Sequence, residues 1–232
     1  MVSQLGLLDG ITAIGVLTSS ILCGAISLYT AKKLNAKLLY PAGLSMILSG
    51  LFFLGPTTDF ILVVMTRKNI SPIYLYGILS YMWVAVSIIP TMYLGSELIV
   101  PEKKKLIVGI YAILGVIFQL FLFLDASNAF TFTLGVPGED LIDASFNRAH
   151  PTYFFIIFFL LSTLIFCGFG FLIKAKQATG LLRKKFLLMS LGYIDFVIAG
   201  TLDSLFAPGI MLFFVRIAMM CSPWLIYIGL KA

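Results

Sequence analysis

Seven long apolar runs, separated by mostly short polar connections, account for nearly the whole chain. Numbered as spans 1 to 7, they cover residues 5–30, 38–66, 73–100, 106–125, 151–173, 185–206 and 209–230. Each run is about 20 residues or longer, and at ~1.5 Å of rise per residue a helix of that length crosses a hydrocarbon core of ~30 Å. Strict apolar–polar alternation, the mark of a membrane barrel, is absent. The pattern predicts an all-α integral membrane protein, with residues 1–232 forming one seven-transmembrane-helix bundle.

The connection at residues 126–150 is the one long polar segment. Within it Phe130-Thr131-Phe132-Thr133-Leu134 alternates with the period of a strand, and Pro137-Gly138 offers a turn ahead of Leu141-Ile142. A small β-hairpin capping the bundle fits this pattern, as does a solvated loop that only connects. A faint echo relates the two ends of the chain. Pro90 to Gly95 in span 3 matches Pro223 to Gly229 in span 7, and Gly55 to Asp59 in span 2 matches Gly200 to Asp203 in span 6. Two parallel three-helix repeats around a single helix, a 3+1+3 plan, would produce it.

Charge then orients the bundle. The first, third and fifth connections together with Lys231 hold twelve Lys and Arg, whereas the second, fourth and sixth hold Arg67, Lys68 and Arg148. Basic loops stay in the cytoplasm, so the N-terminus is expected outside and the C-terminus inside the cell membrane. No Lys or Arg precedes Lys32, so span 1 lacks the basic leader of a secretory signal and is read as retained.

Composition agrees with the pattern: 60% hydrophobic, 11% charged, mean hydropathy +1.07. The net charge of +6 lies in loops beside helices, so it reports orientation and membrane lipid contact, and no nucleic-acid partner is expected. Cys23, Cys167 and Cys221 all fall inside spans and read as small packing residues without metal-ligand spacing.

Charges inside spans carry the candidate chemistry, because each is costly in lipid. Asp59, Asp203 and Arg216 all fall in the outer halves of their spans, and the short Ala207-Pro208-Gly209 turn keeps Asp203 and Arg216 at similar depth. Two readings are open: an outward polar pocket in which Arg216 meets an anionic ligand group, with Asp59 and Asp203 as competing counter-charges, or an ion pair that docks span 7 on span 6. Asp195 stands near the midplane, as a proton or cation site or as a protonated carboxyl bonded to a neighbouring helix. Glu97 is expected to pair with Lys103 to Lys105 at the cytoplasmic surface.

Pro56, Pro90 and Pro223 interrupt span interiors and predict kinks. Ser45, Ser49, Ser20 and Gly24 are expected to form small-residue packing faces, and the aromatic run from Tyr153 to Phe159 to face lipid or a second chain. Span 7 has no lysine for a retinal Schiff base before Lys231. His150 is the sole histidine, which leaves no bis-histidine haem and no three-histidine metal centre. Nucleophile elbow, phosphate loop and paired catalytic carboxylates are all missing, so no enzyme activity, cofactor or metal is expected.

Tyr81-Met82-Trp83 through Ile88-Ile89-Pro90 to Glu97 and Pro101-Glu102-Lys103-Lys104-Lys105, followed by Gly192, Gly200, Asp203, Arg216 and Leu225-Ile226-Tyr227-Ile228-Gly229, resembles the seven-helix membrane sensor region at the N-terminus of microbial histidine kinases. The resemblance implies a module that binds a small or amphipathic ligand and moves a helix inward. In those kinases span 7 continues into a signalling domain, whereas this sequence stops at Ala232, so a separate cytoplasmic or membrane protein partner is expected. A sensor or receptor-like protein is the first functional expectation. A transporter or channel using intramembrane carboxylates is the second, and a structural subunit of a membrane complex the third.

Overall fold

Seven helices long and apolar enough to cross a membrane dominate the computed structural model, which describes residues 2–231. They are α1 (Gln4–Leu34), α2 (Leu39–Thr66), α3 (Tyr74–Ile99), α4 (Pro101–Leu124), α5 (Pro151–Gln177), α6 (Gly180–Asp203) and α7 (Ile210–Leu230). An antiparallel pair of strands, β1 (Phe130–Thr133) and β2 (Asp143–Phe146), lies between α4 and α5. Ala232, where the histidine-kinase sensors would continue, lies outside the described residues.

The helices overrun their apolar spans for local reasons. Ser3 Oγ accepts from the Gly6 amide at 3.0 Å and caps the start of α1. At its other end Lys32 and Lys33 occupy the last turn, where the helix dipole favours cations, and Asn35 closes it in the left-handed region at φ 50°. α6 begins at Gly180, five residues ahead of the apolar run, which puts Arg183, Lys184 and Lys185 on helical turns. Long basic side chains can hold their charge in the headgroup region while the backbone stays helical.

The packing makes a ring. α1 lies on α2, α2 on α3, α3 on α5, α5 on α6, α6 on α7, and α7 returns to α1. α4 stands outside the ring against α3 and α5, and it is the least buried of the seven. Close approach rests on absent side chains: a Cβ on Gly24 of α1 would lie 2.6 Å from the Gly43 carbonyl oxygen of α2, and one on Gly229 of α7 would lie 2.8 Å from the Lys185 oxygen of α6. Ser20 and Gly24 pack against α2 in this way. Ser45 and Ser49 do not, and face inward instead.

Three of the six ring helices, α2, α3 and α5, depart from regular α-helix along their length. α2 tightens into a 3-10 turn at Leu51–Phe53 just before Pro56, α5 widens into a π-turn at Leu164–Phe169, and α7 carries Pro223 within a continuous helix. α3 carries Pro90 in the same way and is broken at Met82-Trp83, where the freed Met82 carbonyl accepts from Gln119 Nε2 of α4 at 2.5 Å. A buried carbonyl needs a donor, and α4 docks by supplying one. The aromatic run of α5 divides: Phe154 and Phe158 are exposed, while Phe159 is buried and faces the ring interior.

β1 and β2 form a lid over the ends of α2 and α3. Phe130 and Phe146 pack on Tyr81, with ring centroids 5.4 and 4.4 Å away. The second strand starts just beyond Leu141-Ile142, which are buried under the lid. Gly138, at φ 79°, passes so close to the Arg67 carbonyl that no side chain fits there.

Candidate functional site

A central cavity of about 140 Å³ lies inside the ring, with walls from α1, α2, α3, α5, α6, α7 and β2. Its deeper half, away from the lid, is lined by hydroxyls: Ser45, Ser49, Ser87, Thr91, Tyr193 and Ser222. Phe53, Ile88, Phe159, Phe196 and Ile226 form apolar walls. Tyr76, Tyr81, Phe146, Asp143, Asp203 and Arg216 surround the end beneath the lid.

Arg216 is the centre of that end. Its Nε donates to Asp203 Oδ1 at 2.9 Å, and its Nη1 lies 2.5 Å from Asp9 Oδ1 and donates to the Asp9 carbonyl at 2.9 Å. The Arg216 and Asp9 side chains are only 6% and 7% exposed and Asp203 23%, so the triad is mostly withdrawn from water. The guanidinium also sits over the Phe53 ring at 5.4 Å. The short α6–α7 turn accounts for the Asp203 contact, since it holds the two helix ends at one level. Asp9 comes from α1, 207 residues away in sequence from Arg216.

Asp59 lies elsewhere. Its carboxylate accepts from the Ile70 amide at 2.8 Å, the Ile142 amide at 2.9 Å and Asn69 Nδ2 at 3.1 Å. Asn69 in turn donates to the Asp140 carbonyl and accepts from the Gly138 amide. The fully buried Asp59 therefore ties the lid to α2, and it is not among the described residues of the cavity wall. Asp195 accepts from Ser222 Oγ at 2.6 Å, linking α6 to α7. It too stands outside the described wall, which it reaches through Ser222.

The lid carries two carboxylates of opposite character. Burial pushes the Asp143 carboxyl above its ordinary value, with nearby Asp203 adding to the shift and the Thr133 hydroxyl opposing it. Hydrogen bonds from the Ser3 hydroxyl and the Val136 amide hold Asp140 below the usual range. At the other end of the bundle Lys104 pairs with Glu97 at 2.5 Å and lies over Tyr93.

Of the residues singled out from sequence, Asp203 and Arg216 are thus brought together, while Asp59 and Asp195 have partners of their own. Asp9 and Asp143 complete the site without having been singled out. Asp9 carried a usable signal: it stands about one turn into span 1 and Arg216 about two turns into span 7, and odd-numbered spans start on the same side of the bundle. Asp143 carried none, because the fold of a polar loop decides which of its carboxylates turns inward. No protein-family model and no curated protein matches the chain.

Proposed function

We propose that this chain is a small sensor or receptor-like membrane protein that binds a small amphipathic ligand in its central cavity and signals through a separate partner. One observation carries the reading: six of the seven helices contribute to a single cavity with apolar walls and polar ends. A ligand there would touch every ring helix at once, and any misfit would be relieved by moving them. The irregular turns of α2, α3 and α5 adjoin the cavity and are suited to such adjustment. With the lysine-rich end in the cytoplasm, the lid faces outward and the movement is read on loops such as Arg183 to Lys185.

Short amphiphiles test the reading: hexanol, hexanoate and hexyltrimethylammonium, added to the purified chain in dodecyl maltoside micelles. At least one should raise the melting temperature and slow hydrogen exchange in the 174–185 segment. Ser87→Phe, which fills the cavity, should abolish both effects. Failure of all three amphiphiles removes the reading.

A transporter is the second reading, favoured by the ring itself. α1–α3 and α5–α7 form two arcs with α4 outside, the layout that a 3+1+3 repeat would have. Flux through proteoliposomes that is lost in Asp195→Asn would establish it over the sensor.

A further inference from the structure

The charge around the lid end of the cavity deepens the proposed receptor role, on which this inference rests, by indicating the class of ligand. Arg216 is the one basic side chain among the described wall residues, and it is already occupied. Asp9 neutralises it from behind, through α1 and outside the described wall, while Asp203 takes its Nε. Asp203 uses Oδ1 for this bond, which leaves its Oδ2 outside the ion pair. The Asp143 carboxylate is met by the Thr133 hydroxyl and the Ala144 amide, and Arg216 acts on it through space without an ion pair among the described residues.

This end therefore gathers three carboxylates, Asp9, Asp203 and Asp143, around the single cation Arg216, an excess of acidic groups over basic ones. An anionic ligand would have to displace Asp9 or Asp203 from Arg216 and then face Asp143. A cation would meet Oδ2 of Asp203, the carboxylate of Asp143 and the aromatic rings of Tyr76, Tyr81 and Phe146 at the same level. Ring faces and carboxylates together suit an organic ammonium, whose charge is spread and weakly hydrated.

We propose that the lid end of the cavity binds the ammonium head of a small organic cation between Asp143 and Asp203, with its apolar part against Phe53, Ile88 and Phe159. The hydroxyls of the deeper half would receive any polar group at the ligand's far end.

The matched probes separate this inference from the cavity reading. Melting temperatures of the full chain in dodecyl maltoside are recorded against hexyltrimethylammonium, hexanoate and hexanol, for the wild type, Asp143→Asn, Asp143→Glu and Ser87→Phe. Hexyltrimethylammonium should reach half-effect at a concentration about tenfold lower than hexanoate. Asp143→Asn should erase most of that advantage while leaving hexanol unchanged, and Asp143→Glu, which keeps the charge, should restore it. Preference for hexanoate, or an ammonium response identical in Asp143→Asn, overturns the ammonium site and leaves the cavity reading standing. If no probe acts, or all act equally on Ser87→Phe, both fall.

Discussion

Asp59 and Arg216 are both buried charges at the lid end of the bundle, yet they are satisfied in different ways. Asp59 is met by two backbone amides and a side-chain amide, and no Lys or Arg pairs with it among the described residues. Arg216 is met by two carboxylates and borders the cavity. Backbone donors are fixed by the fold and cannot be exchanged for a ligand, whereas side-chain pairs can loosen or re-form around one. Burial of a charge therefore does not by itself mark a binding site; the nature of its partners does.

The largest expected effect breaks the Arg216 side of this contrast. Arg216→Met leaves Asp9 buried without its cation and should cost about 3–5 kcal/mol of stability, measured by thermal or denaturant unfolding in micelles. Adding Asp9→Asn and Asp203→Asn should recover much of the loss. A single variant that melts like the wild type would mean that the triad contributes no net stability.

Asp59→Asn tests the other side. An amide accepts more weakly than a carboxylate and brings its own donors against the Ile70 and Ile142 amides, so a loss of about 1.5–3 kcal/mol is expected. Hydrogen exchange should quicken at Ile70 and Ile142 while the α6–α7 turn keeps its protection. Equal quickening at both places would merge the two centres into one.

Asp143 sharpens the comparison through pH. Its raised value means that the folded chain holds a proton which the unfolded chain releases, so the group favours folding below the unfolded value near ~3.9. That advantage is lost as pH rises towards the folded value. Asp143→Asn should therefore improve on the wild type more at pH 7 than at pH 4, read as the difference in melting temperature. No change between the two would place the carboxylate in free water.

Asp195→Asn should have the smallest effect, about 1 kcal/mol or less, because an amide oxygen still accepts from Ser222. Probe binding in the cavity should be unchanged. A large loss of probe affinity would bring Asp195 into the site.

Much of the bundle was legible in the sequence, and much less of the site. Spans of about 20 apolar residues leave the backbone one way to satisfy its polar groups in lipid, which is why seven helices could be read directly. Asp203 and Arg216 were legible as a pair because a short turn joins their helices. The direct partners of Asp59 were not legible, because depth along a helix says nothing about which way a side chain points. Its lid partners, Asn69 and Ile142, are 10 and 83 residues away. Ser45 and Ser49 looked like a packing face for the same reason: small hydroxyl residues suit a helix contact and a cavity wall equally well.

The sequence alone determined the all-α class, the number of helices long and apolar enough to cross a membrane and the uneven distribution of Lys and Arg, because these arise from hydropathy and charge summed over local stretches. Tertiary structure decided that six helices close into a ring and leave α4 outside. It also decided that Asp9 reaches Arg216 from α1, and that β2 turns Asp143 towards the cavity. Those outcomes depend on the azimuth of each helix and on contacts between distant segments, which no local pattern encodes. In lipid, where apolar faces are nearly equivalent, small residues, freed carbonyls and buried charges settle the azimuth.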